Sequence, residues 1–310
     1  MRRLALTMCA ALAACSGGGD PPTYVFEDPS LATVSPGTLL PGSRLVLQGR
    51  AFVPGDVGQT RLRLQGSFGV TPVDVSWPAR FVDYEHLEVQ FGGGLAAGLP
   101  ADEGTFSGSA TLAIDNQADG LTHTSAALAV SLEVRVELTP RLEFLQSGGV
   151  IFVNDDIQVE GDGLLLGGEE GETVAVVEGC FQANGATTCD QVGPTEVVVQ
   201  PESPFERRRG AFPFDPHIAG IQPGSFAGTV LLRNRHGSAA GEVVRESLAQ
   251  DAIYETMRAR IFSLAPPRAS LGQYVDIAGG GYVGMRAGSP DPTLAVTTLE
   301  LRGTFMPEGS

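Results

Sequence analysis

The sequence predicts an all-β protein, a tandem of short-stranded β-sandwiches with two complete units and a third partial one. Three observations predict it. Apolar residues alternate in short runs closed by Gly or Pro turns roughly every ten residues, the signature of half-buried strands. A glycine-centred pattern occurs three times, at a period of about 110–120 residues. Helical periodicity is nearly absent. Residues 242–260 are the one stretch that reads as either helix or strand, and their repeat position, matching Thr122–Arg141, makes them strand or linker.

Composition agrees and excludes some function classes. The 310 residues suffice for two or three domains. The 41 Gly and 21 Pro supply the turns, and the 42% hydrophobic content supplies the cores. Formal charge is −16 and all 20 basic residues are Arg. So negative a surface repels phosphate backbones, which argues against nucleic acid as a partner. The absence of Lys excludes Schiff-base chemistry and a Walker-type phosphate loop.

The chain opens on Arg2-Arg3, an apolar stretch from Leu4 to Ala11, and Leu12-Ala13-Ala14-Cys15. That apolar stretch is far short of the ~20 residues needed to span a bilayer, and it reads as the core of a signal peptide, residues 1–14. The segment resembles the bacterial lipobox. The resemblance implies that Cys15 is diacylated with palmitate-type chains, that the signal is cut before it, and that Cys15 becomes the first mature residue. Ser16, with no acidic side chain, resembles lipoproteins sorted to the outer membrane of a Gram-negative bacterium. Residues 15–30 then form a lipidated tether, flexible at Gly17–Gly19 and stiff at Pro21-Pro22.

The repeats follow. Segments Leu31–Phe52, Phe144–Leu164 and Phe262–Tyr282 overlay with Ser35, Ser147 and Ala265 fourteen residues before Gly49, Gly161 and Gly279. A turn residue (Gly42, Asn154, Gly272) lies seven before each glycine, and the strand between alternates as Leu45/Leu47, Ile157/Val159 and Val275/Ile277. Downstream, Gly66-Ser67-Phe68, Gly179-Cys180-Phe181 and Gly303-Thr304-Phe305 correspond, as do Gly104–Gly108 and Gly224–Gly228. Ile114-Asp115-Asn116 and Leu232-Arg233-Asn234 match as the strand ends before a turn. This pattern resembles the IPT (TIG) family of immunoglobulin-like domains, whose hallmarks are a Pro-containing opening, a Gly turn and Gly-x-Gly-Phe. Gly161-Asp162-Gly163 and Gly279-Gly280-Gly281 keep the double glycine, while Gly49-Arg50-Ala51 loses the second. The expected organisation is tandem immunoglobulin-like β-sandwiches, with domains at 31–141 and 142–259 and a partial domain at 260–310. The last would carry strands Tyr274–Ala278 and Leu294–Arg302 with an uncovered apolar face.

Candidate chemistry is sparse. With Cys9 in the signal and Cys15 in the lipobox, Cys180 and Cys189 remain. A type I′ turn at Asn184-Gly185 would set them opposite each other, close enough for a disulfide in an exported protein. His86, His123, His217 and His236 lack ligand spacing and read as exposed or loop residues. Asp115 to Gly120 faintly echoes a Ca²⁺ loop, but a hairpin turn fits better. Asn154-Asp155-Asp156, with Glu160 and Asp162, reads as solvated turns or, less well, a Ca²⁺ site. Arg207-Arg208-Arg209 reads as a solvated loop tip. Trp77 reads as a core residue, or as a stacking platform for sugar. No catalytic residues, metal ligands or cofactor are expected. The expected function is a membrane-anchored, non-enzymatic spacer and interaction module of the cell envelope, with a protein or glycan partner. The alternative is a carbohydrate-binding lipoprotein.

Overall fold

Alternation sets the strands. In Gly58–Phe68 the side chains of Leu62 and Leu64 point inward and those of Arg61 and Arg63 outward, as a period of two requires. The computed structural model describes residues 27–153, 155–214, 218, 222–237, 243–268, 272–282 and 299–302.

The first sandwich comprises β1 (Ser30–Ser35), β2 (Thr38–Leu39), β3 (Arg44–Arg50), β4 (Gly58–Phe68), β5 (Thr71–Phe81), β6 (His86–Gln90), β7 (Gly104–Asn116), β8 (Thr122–Thr124) and β9 (Leu128–Val134). One side runs β1-β3-β6-β5 and the other runs β5-β4-β7-β9-β2, with β8 beside β7. Strand β5 serves both sides: Thr71–Ala79 pair with β4, then Arg80 and Phe81 cross to β6. Leu45, Leu47, Leu62, Leu64, Leu87, Phe106, Leu112 and Leu132 fill the space between.

The second sandwich repeats the order: β10 (Arg141–Leu145), β11 (Val150–Ile151), β12 (Asp156–Asp162), β13 (Gly171–Ala183), β14 (Asp190–Val198), β15 (Gln200–Pro201), β16 (Arg209–Pro213), β17 (Gly224–His236), β18 (Val243–Glu246) and β19 (Gln250–Thr256). Its sheets run β10-β12-β16-β15 and β11-β19-β17-β13-β14, with β18 beside β17. Here the sheet-switching strand is broken at Val199 into β14 and β15. Ile157, Val159, Ala175, Val177, Phe212, Phe226, Leu232 and Tyr254 form its core. Residues 243–246 and 250–256 are strand, so the ambiguous segment is not a helix.

The third unit shows β20 (Arg260–Ala265) paired with β21 (Asp276–Gly280). The expected Gly303-Thr304-Phe305 lies outside the described residues, as does most of Leu294–Arg302; its last four residues, 299–302, are not in a strand. Ile261, Phe262 and Leu264 of β20 are exposed.

The repeat glycines have a steric reason. Each opening strand bulges at one place: between Leu31 and Thr33, Leu142 and Phe144, Ile261 and Ser263. There it crosses Gly49, Gly161 or Gly279, and a Cβ on those glycines would fall on the carbonyl oxygen of Ser30, Arg141 or Arg260. The fourteen-residue spacing is thus the length of chain between the turn after the opening strand and this crossing.

One sequence match is off by two residues. Leu62 pairs with Leu112 and Ala175 with Leu232 at the same place in each core, so Ile114 corresponds to Asn234 and Asn116 to His236. The two asparagines are not equivalent, which matters for Thr60 below.

Candidate interaction site at the junction of the sandwiches

The 3-10 turn Gly168–Glu170 stands between Gly167 (φ 87°) and Gly171 (φ 112°), with Gly168 itself at φ 72°. Positive φ at these residues folds the chain tightly enough to tuck the carboxylate of Glu170 inside, 2% exposed. Arg207, 7% exposed, meets it end-on: Nη1 to Oε1 at 2.8 Å and Nη2 to Oε2 at 2.9 Å. The guanidinium also donates to Leu164 O at 3.1 Å and, across the junction, to Thr38 O at 3.1 Å. Ser43 of the first sandwich donates its hydroxyl to Glu170 Oε2 at 2.6 Å and accepts from Leu40 N at 2.8 Å. Leu166 N donates to the other carboxylate oxygen. Burial alone would raise the carboxyl pKa, but the Arg207 fork, Ser43 and Leu166 outweigh it and hold Glu170 below its ordinary value.

The surrounding contacts are close. Gly42 (φ 88°) turns the chain against the backbone of Glu169 where a Cβ would collide. Gln90 Nε2 donates to Gly42 O at 2.9 Å and to Glu169 Oε2 at 3.0 Å. The linker is tied down as well. Asn234 donates to Leu138 O at 3.0 Å and Gly163 O at 2.7 Å, and Arg245 donates to Glu137 at 2.8 Å. His236 Nε2 lies 3.1 Å from Leu138 N and 2.9 Å from its O, its role set by tautomer. Beside the junction, a groove of about 590 Å³ is lined by both sandwiches, including Arg44, His86, Gln90, Glu169 and Phe205.

The sequence candidates fall out as follows. The signal peptide, the tether up to residue 26 with Cys15, Asn154 and His217 lie outside the described residues. Cys180 and Cys189 are bonded, with Cα atoms 5.6 Å apart. The expected register is wrong: Phe181 pairs with Asp190, so Cys180 faces Gln191 and Cys189 reaches it diagonally from the loop. A turn does form at Asn184-Gly185, with Ala186 N donating to Ala183 O at 2.9 Å, but only Gly185 (φ 87°) has positive φ, whereas type I′ needs two such residues. Asn184 N donates to Pro223 O and Gln182 to Ala186 O, which holds the loop open instead of letting the ladder zip to the turn.

Arg207 is not a solvated tip but the centre of the junction. His236, at the end of β17, is buried against the linker, not exposed. Trp77 is a core residue, 7% exposed, donating to Ala97 O at 2.8 Å and meeting Phe91 edge-on at 5.6 Å, so it offers no platform to sugar. Asp155 accepts from Phe152 N, Asp162 from Gly163 N, and Glu160 lies 3.6 Å from Arg209, so these acids serve turns and an ion pair. Asp115–Gly120 forms the β7–β8 hairpin turn, with Gly120 N donating to Asn116 O. Among the described residues no group of three or more His, Cys, Asp and Glu is placed to hold a metal ion, and no helix is long and apolar enough to cross a membrane. Glu170 and Ser43 were not legible as a site; the glycines flanking Glu170 were the available signal.

No protein-family model matches the chain, and no curated protein does. Among solved structures, the crystal structure of the chicken CNTN1 FN1-FN3 domains is similar at 13% identity, covering 84% of this chain and 78% of that one, with a TM-score of 0.21.

Proposed function

We propose that the protein is a lipid-anchored, non-enzymatic spacer and interaction module of the cell envelope, held at the outer membrane of a Gram-negative bacterium by acyl chains on Cys15. The lipobox-like segment supports the anchor. Two acyl chains suffice for stable attachment, at about 0.8 kcal/mol per buried CH₂. The observation that carries the spacer reading is the Glu170–Arg207–Ser43 junction, because a buried, fully bonded ion pair fixes one docking geometry between consecutive sandwiches. Flexible beads would need no such lock. Among the described residues, the buried polar groups other than the unpartnered Thr60 hydroxyl bond to backbone, the linker or the junction, which favours a structural over a catalytic role. The groove beside the junction is where both sandwiches present side chains to a protein or glycan partner.

Intact-mass analysis and membrane fractionation of the wild type and Cys15→Ser test the anchor. A diacylated Cys15 terminus, lost with fractionation to the membrane in the variant, is expected; a cleaved, unmodified N-terminus elsewhere would refute it. Small-angle scattering tests the spacer: a single extended shape for residues 27–256 is expected, and a broad ensemble of inter-sandwich angles would count against it.

A further inference from the structure

The segment leading into each sandwich is held by a basic side chain on the same strand of the repeat. In the second sandwich Arg245 of β18 holds Glu137 of the linker. Arg245 pairs across the ladder with Asn234, and His123 of β8 pairs with Ile114, the residue equivalent to Asn234. The serines two residues on agree, each accepting a bond at 2.9 Å from the corresponding leucine, Leu112 to Ser125 and Leu232 to Ser247. His123 therefore stands where Arg245 stands, and its partner in the lead-in is Asp28, at 3.0 Å from Nδ1. Its other nitrogen, Nε2, lies 2.7 Å from Asp119 in the β7–β8 turn.

We propose that His123, held between Asp28 and Asp119, is a pH-responsive clasp that docks the lead-in segment onto the first sandwich. Carboxylates only accept hydrogen bonds, and an imidazole donates from both nitrogens only when protonated. Only an imidazolium can donate to both carboxylates at once. On losing a proton the ring keeps one donor. The shorter bond to Asp119, within the same hairpin, retains it, and a bare nitrogen lone pair then faces the carboxylate of Asp28. Charged groups beside it along the chain and the ladder include Glu27 on the lead-in and Asp115 on β7, which accepts from Thr122 at 2.8 Å and lies 4.0 Å from Arg61 of β4. The hydrogen bonds to Asp119 and then Asp28 raise the His123 pKa above its ordinary 6.5. The sign follows: the clasp is complete below 6.5 and is lost as pH rises through the raised value. A guanidinium, unlike an imidazole, carries its charge throughout this range, so the lead-in to the first sandwich is switchable and the linker to the second is not. The clasp does not depend on what Cys15 carries.

The test is NMR on the full chain, following the His123 ring and the ¹H–¹⁵N heteronuclear NOE of Glu27 and Asp28 from about pH 5 to about pH 9. His123 is expected to titrate above 6.5, with the Asp28 NOE falling along the same curve. Asp28→Asn and Asp119→Asn should each lower the midpoint. His123→Arg should keep Asp28 ordered across the whole range, as Arg245 does for Glu137, and His123→Gln should leave it disordered throughout, while NOE values in β3 and β7 stay unchanged in both. A His123 midpoint at or below 6.5, or an Asp28 NOE in the wild type that ignores pH, would overturn the proposal.

Discussion

Arg207 and Tyr84 hold the same position in the two sandwiches: each offers its carbonyl oxygen to the third residue after the repeat glycine, Leu164 N at 3.0 Å and Phe52 N at 3.4 Å. Arg207 is 7% exposed and Tyr84 is 67% exposed. Likewise Glu170, just before Gly171, corresponds to Val57, just before Gly58. The backbone is the same and the chemistry is not. Where a sandwich precedes, the position carries one half of a buried ion pair aimed at that sandwich. In the first sandwich it carries an aromatic ring resting on Phe81 at 5.5 Å. Docking is thus a property laid over a shared frame by a few side chains, and altering those side chains should separate docking from folding.

The largest effect is expected from splitting the pair. Arg207→Ala leaves the Glu170 carboxylate buried without its fork, a loss of about 3–5 kcal/mol if the junction stays closed. The sandwiches can escape part of that cost by parting and hydrating Glu170. The expected readouts are therefore a broader scattering envelope and two separate thermal transitions. Glu170→Met with Arg207→Met should restore a single shape, since an apolar pair of similar volume needs no desolvation to be offset. The corresponding change in the first sandwich, Tyr84→Ala, should leave the envelope untouched. Acid should act like Arg207→Ala. The Glu170 pKa is depressed, so its contribution is complete above its ordinary 4.5 and is lost as pH falls through the lower folded value. Scattering across that range checks the sign.

The β4–β5 and β13–β14 hairpins make a second comparison. The first closes tightly, Phe68 pairing with Thr71 around Gly69-Val70. The second stops pairing at Phe181 and Asp190, leaving an open loop on an edge strand. Only the loose one carries a disulfide, with a sequence separation of 9. Loop closure of that length contributes about 2–3 kcal/mol. Cys180→Ser with Cys189→Ser should lower the stability of the second sandwich by about that much and raise amide exchange in residues 182–190, with the first sandwich unchanged. Loss confined to exchange, with no shift in the unfolding midpoint, would mean the loop is already held by Asn184 and Gln182.

These contrasts show what could be read before the fold was known. Strands, turns and the repeat glycines were legible because each is local: alternation and steric exclusion act within a few residues or between segments of fixed spacing. The disulfide was legible as a pair, but its register was not, because the hydrogen bond from Asn184 to Pro223 comes from a segment nearly forty residues away. The junction was illegible for a similar reason. Arg207 meets Glu170 across 37 residues and Ser43 across 164. Beside two more arginines, and with no helical or strand period to place it, Arg207 resembles a solvated loop until the partners are brought together.

The smallest effect sharpens the comparison most, because it uses one substitution at two equivalent sites. Thr60 and Thr173 lie on β4 and β13 two residues after Gly58 and Gly171. Thr173 accepts from Leu165 N at 2.8 Å and donates to Asn234 Oδ1 at 2.7 Å. Across the ladder from Thr60 stands Ile114 in place of Asn234, and the buried Thr60 hydroxyl has no hydrogen-bond partner. Valine has nearly the same shape as threonine and removes only the hydroxyl. Thr173→Val strands a buried N–H and an amide oxygen, and it frees the side chain that anchors Leu138 of the linker. A loss of about 1–3 kcal/mol is expected, with the junction loosened. Thr60→Val removes an unpaired group and should be neutral or stabilise by up to about 1 kcal/mol. Denaturant midpoints for the two variants decide between the cases. Equal losses at both sites would mean that a buried water serves Thr60 as Leu165 and Asn234 serve Thr173, and that the two cores are more alike than their side chains suggest.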